Sequence, residues 1–189
     1  MKLISVTRLL DGMSEVPALV MNRYWDVVAC NRAMQALVHG TARPVRGGSC
    51  NVVAYVLSPA WRARVAQSEQ HARAGVGGLR ITLASVLAER PGDTRANELL
   101  ATLTRRSADF PRWWSEHELW DASRPVVHVY DGLLSLEASF LGFAAPSELT
   151  LIAYGPIDSA SAQRLRMLVA PPSIDPSGRR GWPSGGARA

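Results

Sequence analysis

The spacing of apolar and polar residues changes several times along this chain, and each change predicts an element. Between Arg8 and Leu37 the pattern predicts a short helix, a strand, a tight turn, a second strand and a helix. Val16 to Met21 is apolar and β-prone, Asn22 to Trp25 can turn, and Asp26 to Cys30 resumes the extended pattern. Asn31 then stands at a helix N-cap position, where its side-chain oxygen can accept a free backbone N–H. Met34, Leu37 and Val38 supply the apolar stripe of that helix. Gly40 to Ser49 reads as a loop, on account of Pro44, Gly47 and Gly48. Asn51 to Leu57 fits a strand or a short buried helix, because periodicity cannot decide over so few residues.

From Pro59 to about Glu89 the pattern is helical, with Trp61, Val65, Ala72, Val76, Leu79, Leu83 and Leu87 as the inward positions. Gly75, Gly77 and Gly78 each cost about 1 kcal/mol relative to alanine in a helix, so a kink or break is expected there. Pro91-Gly92-Asp93 is a stop, after which Thr94 is the expected cap of a helix burying Leu99, Leu100 and Leu103. Ser107 or Asp109 restarts a helix; Pro111 near its first turn is tolerable, and Phe110, Trp114 and His117 recur at helical spacing. Three strands are expected next, Val126 to Tyr130, Leu133 to Glu137 and Leu149 to Tyr154, the first two joined by an Asp131-Gly132 turn. Ser159 or Ser161 opens a last helix with Leu165, Leu168 and Val169 inward, and from Pro171 onward Pro, Gly, Ser and Arg predict a disordered tail. Two early strands, three late ones and helices between them predict an α+β fold: an antiparallel sheet of about five strands with helices packed on one face. That order resembles sensor domains of PAS type. The expected organisation is an N-terminal helix or linker over 1–12, a PAS-like ligand-binding domain over 13–170 and the tail over 171–189.

A length of 189 residues suffices for one domain with a real core, and 47% hydrophobic with 20% charged residues fits a globular protein. No apolar run is long enough to cross a bilayer, and Arg8 and Asp11 interrupt the N-terminus too early for a signal-peptide core. Cys30 and Cys50 are therefore expected to be reduced, in a cytoplasmic protein. The net charge of +5 is carried almost wholly by arginine, Lys2 being the only lysine. Arginine suits phosphate, yet these arginines are scattered and part of the excess lies in the tail, so charge alone does not establish DNA binding.

Four separated segments together resemble the ligand-binding domain of MmyB-like transcription regulators, a family of actinobacterial type. The first is Leu9-Leu10-Asp11, Pro17-Ala18 and Asp26-Val27-Val28-Ala29 ending at Asn31; the second is Val76-Gly77-Gly78-Leu79-Arg80. The third is Ser107, Phe110, Trp114 and His117, similar to the family's Ser-x-x-Phe-x-x-x-Trp-x-x-His pattern. The fourth is His128 with Gly132, similar to a His-Pro-x-x-Gly turn, followed by Leu149, Leu151 and Tyr154. The resemblance implies a PAS-like domain that follows a helix-turn-helix of XRE type and is similar to one that holds a fatty acid. Val129 departs from the usual proline, and Ser68 stands where the family commonly has tryptophan. Only seven residues precede Arg8, so the DNA-binding half is expected to have been removed or to lie outside this chain, unless the protein acts as a lone sensor module.

The candidate ligand-binding residues are Arg80, Phe110, Trp113, Trp114, His117 and His128, with Asn31, Ser107 and Gly132 as structural or capping residues. Phe110, Trp113 and Trp114 suit the lining of an apolar pocket, although core packing is the simpler reading at helical spacing. Arg80 suits a bidentate contact to a carboxylate ligand or a salt bridge within the protein. His117 and His128 lack metal-ligand spacing and read as buried histidines joining helix to sheet, with His128 also able to bond a ligand head group. There is no Gly-x-Ser-x-Gly elbow, no phosphate-binding Gly-x-x-x-x-Gly-Lys loop and no His-Glu-x-x-His, and no catalytic residue, cofactor or metal is expected. The expected partners are a small apolar molecule and DNA through a domain outside this chain. A homodimer without ligand is the rival reading.

Overall fold

The computed structural model describes residues 3–38, 50–116, 125–143 and 148–170. The expected loop over 40–49, His117 and the tail over 171–189 lie outside the described residues. β1 (Ala18–Met21) and β2 (Val27–Cys30) form an antiparallel hairpin. Asn22 shapes its turn: the side-chain oxygen accepts from the N–H groups of Tyr24 and Asp26 at 2.9 and 3.0 Å. Trp25 takes a left-handed conformation with φ of 62°, which costs a bulky residue about 1–2 kcal/mol. Burial of the indole and its Nε1–H bond to Thr82 Oγ1 at 3.0 Å offset that strain.

β3 (Val126–Tyr130), β4 (Leu134–Gly142) and β5 (Thr150–Pro156) complete an antiparallel sheet of order β2-β1-β5-β4-β3, a PAS-like α+β arrangement. Asp131 and Gly132 at φ of 51° and 68° form the tight β3–β4 turn that the sequence predicts. The inner face carries Leu19, Met21, Tyr130, Leu136 and Tyr154, and packs under α2 (Arg32–Leu37), α3 (Val52–Val56), α4 (Pro59–Arg62), α5 (Ser68–Glu89), α6 (Thr94–Arg106), α7 (Asp109–Ser115) and α8 (Ser159–Val169). One helix departs from the one-sided arrangement. α1 (Leu3–Gly12) lays Val6 and Leu10 on Ala18, Val20 and Leu151 of the outer face, so every residue of β1 is buried.

Several boundaries fall elsewhere than predicted. Asn51 to Leu57 is helical, because Asn51 accepts from the N–H groups of Val53 and Ala54 and caps α3. The long helical pattern breaks at Ala63–Gln67 and not at the glycines. There Val65 bridges Tyr130, Ala66 donates its N–H to Val129, and Gln67 turns the chain at φ of 52°. α5 then runs unbroken through Gly75, Gly77 and Gly78, the last two buried. Caps shift by a residue or more: Asp93 and not Thr94 caps α6, and Asp158 and not a serine caps α8. Ser161 is buried and accepts from the Ser135 N–H at 3.0 Å, while Leu168 is exposed. A polar clasp ties the β1–β2 turn to the helices, with Arg95 of α6 and Asn51 both donating to the buried Asp26 carboxylate.

Candidate functional site

Antiparallel pairing of β3 with β4 puts His128 opposite Leu136 and Tyr130 opposite Leu134, which aims both rings into the core. Tyr154 of β5 lies on the same face, opposite Ala138. Three helices bring further rings onto them: Tyr55 from α3, Trp61 from α4 and His71 from α5. The centroid of the His128 ring lies 4.7 Å from that of His71, 5.6 Å from Trp61, 5.7 Å from Tyr154 and 6.0 Å from Tyr130. Tyr55 meets Trp61 edge-on at 6.4 Å.

Burial sets the electrostatics of this cluster. It lowers the pKa of His71, and together with the neighbouring His71 ring it lowers that of His128 from 6.5 to about 3. Both imidazoles are therefore uncharged at neutral pH. Burial also pushes the Tyr130 and Tyr154 hydroxyls well above the ordinary tyrosine range. The Tyr130 hydroxyl lies 3.5 Å from Nδ1 of His128 and has a side-chain hydrogen bond with Trp61. Nε2 of His128, the ring nitrogens of His71 and the Tyr154 hydroxyl have no hydrogen-bond partner among the described residues.

A second group gathers on α7. Phe110 and Trp113 are buried, Trp114 is half-buried, and the Phe110 and Trp114 rings lie 5.4 Å apart. The guanidinium groups of Arg62 and Arg112 each stand 5.7 Å from the Trp113 ring, and Arg62 also bonds Asp109 at 2.8 Å. Among the described residues the buried Trp113 Nε1–H has no acceptor. Arg80 donates Nη1 to the main-chain oxygen of Trp114 at 3.4 Å, joining α5 to α7. It does so from within the helix, which continues to Glu89.

The predicted site residues thus fall into two groups bordering one core: His128 in the histidine–tyrosine cluster, and Arg80, Phe110, Trp113 and Trp114 around α7. α4 joins them, since Trp61 packs on His128 and the next residue, Arg62, stands over Trp113. Asn31 is the N-cap of α2, Ser107 is the C-cap of α6 and Gly132 is the positive-φ turn residue. Sequence reasoning did not single out His71 for function. Its only local signal is a polar ring beside the buried run Ala72, Val76, Leu79 and Leu83, and only the docking of α5 on the sheet brings it to His128.

Among the described residues no group of three or more His, Cys, Asp or Glu side chains is placed to hold a metal ion, and no helix is long and apolar enough to cross a membrane. No curated protein matches the chain. Residues 4–168 match the family described as MmyB-like transcription regulator ligand binding domain, a span that takes in all but the first residue of α1, all five strands and all but the last residue of α8. The four motif segments, the five-stranded sheet and this match agree: the chain belongs to the MmyB-like family of transcription-regulator ligand-binding domains.

Proposed function

We propose that this domain senses a small, largely apolar molecule of the fatty-acid class and passes its occupancy to a helix-turn-helix that reads DNA. The family match over residues 4–168 carries this reading. The core supports it, because among the described residues the buried Trp113 N–H has no acceptor, and such groups are rare inside an apolar interior without a ligand or water to meet them. Arg80, Phe110, Trp113, Trp114, His117 and His128 are the proposed contacts. The domain works in the cytoplasm without catalysis, and the ligand acts by stabilising one packing of helices on sheet. Native mass spectrometry of the purified chain, with lipid extraction, tests the reading. A protein that is empty, and whose melting temperature ignores fatty acids from laurate to stearate, overturns it.

A second reading, a pairing module without ligand, is favoured by the exposed apolar side chains of Leu133, Leu141 and Ile157 around the sheet and of Met167 on α8. A dimer in light scattering that dissociates on Leu141→Glu, in a protein indifferent to lipids, would support it.

A further inference from the structure

We infer that the His71–His128–Tyr154 cluster seats the polar end of the bound molecule, and that it accepts an acidic head group only together with one proton. This rests on the reading of the domain as a ligand sensor and adds where the head group lies and what its charge must be.

The first support is geometric. His128 and Tyr154 are each more than nine-tenths buried, and their rings lie 5.7 Å apart. His71 covers His128 at 4.7 Å and is itself only half-buried, so it forms the outward side of the cluster. Among the described residues no hydrogen bond engages Nε2 of His128 or the Tyr154 hydroxyl, which leaves both able to meet a ligand. Two imidazoles and a phenol offer both donors and acceptors, which suits a carboxyl, hydroxyl or amide.

The second support is the charge around the cluster. The facing groups are Tyr55 on α3, Trp61 on α4, His71 on α5, His128 and Tyr130 on β3, and Tyr154 on β5. None of these carries a fixed charge at neutral pH. Among the described residues Arg64 stands 5.9 Å from the Tyr130 ring, and three bonds to Asp131 already occupy it. Arg73, two residues beyond His71, pairs with Glu116 at 2.6 Å. Among the described residues no carboxylate or guanidinium acts on either histidine ring. An unpaired carboxylate here would face the desolvation penalty of a buried anion with nothing opposite it. One proton from solvent removes that penalty: the imidazole pair takes it up, and the site gains an imidazolium–carboxylate pair of zero net charge.

The test is calorimetric titration of the purified chain with laurate and with dodecanol, in phosphate and in Tris near neutral pH. Laurate is expected to bind with uptake of about one proton, read from the difference between buffers, and to tighten about tenfold per unit as pH falls from about 8.5 to 7.5. Dodecanol is expected to bind without proton uptake. A His71→Gln, His128→Gln double variant that still melts cooperatively should lose the uptake and at least tenfold in laurate affinity. The single variant His71→Gln, at the half-exposed position, should show a smaller loss of both if the double variant fails to fold. Laurate binding with no proton uptake, or unchanged uptake in a folded variant, overturns the inference and leaves the sensor reading standing. Failure of both probes to bind overturns the sensor reading and the inference with it.

Discussion

Packed against Trp61, His71, Tyr130 and Tyr154, the His128 imidazole gives up a proton far more readily than in water, with a pKa lowered to about 3. In the unfolded chain the same ring titrates near 6.5, so between these values the unfolded state binds a proton that the folded state refuses. The contribution to stability is present in full above about pH 6.5 and is lost progressively as pH falls toward 3, by about 2 kcal/mol at pH 5. Urea unfolding should therefore show a lower midpoint at pH 5 than at pH 7.5, and His128→Phe should flatten much of that slope while keeping an aromatic ring in place; an unchanged slope would remove His128 as its cause. Asn31 shows a different residue-scale logic. Its oxygen accepts from the Met34 N–H at 2.9 Å as a cap, but also from the Ala18 N–H at 3.0 Å, and its amide donates to the Met13 and Val16 carbonyls at 2.7 Å. The capping bond was legible in the sequence because it spans three residues. The other three bonds were not, since they exist only once the chain before β1 folds back past the start of α2. Asn31→Ala should therefore cost about 3 kcal/mol in chemical denaturation, well above the roughly 1 kcal/mol of a lost cap.

Among the elements, α5 is where local propensity and tertiary demand part. Three glycines predicted a break within it, yet the helix is continuous and the break lies before it, where Val65 and Ala66 leave the helical path to bond the β3 edge. Strand-edge pairing is a tertiary event with no signature in the Pro59–Ser68 stretch, which explains the misplaced boundary. The same stretch contains Trp61, whose burial was legible from helical spacing alone. The glycines are not equivalent. A Cβ on Gly75 would meet Val56 Cγ2 at 3.5 Å, an ordinary contact, and the backbone there is helical. Gly75→Ala should therefore raise stability by about 0.5–1 kcal/mol, by removing unfolded-state freedom without a clash. A lower melting temperature in Gly75→Ala would mean that α3 and α5 approach more tightly in solution than this contact allows.

For the molecule as a whole, β1 and β5 both carry side chains into the two cores, and β1 is the one that lies against α1 with two residues on each side. Leu19 and Met21 point into the main core, while Ala18 and Val20 point into the small second core beneath α1. The second core is slight: Val6, Leu10, Ala18, Val20 and Leu151 are its buried members. α1 is accordingly expected to open at a lower free energy than the sheet and α5, as elements with few buried contacts do. Native-state hydrogen exchange should find its amides the first helical ones to exchange, ahead of those at Val76 to Leu83. If laurate fills the main core and firms the inner face of β1, the outer face of the same strand gains a steadier seat for α1, and α1 amides should slow on saturation with laurate. The control is Val20→Ala, which thins the second core at a cost of about 1 kcal/mol or more without touching the inner face. It should speed exchange in α1 with or without laurate, while the laurate protection of α5 stays as it was. Protection that stops at the inner face, with α1 exchange unchanged by laurate, would rule out β1 as the route between occupancy and the N-terminal helix, and would turn attention to α8, which packs on β4 and β5 at the far side of the same core.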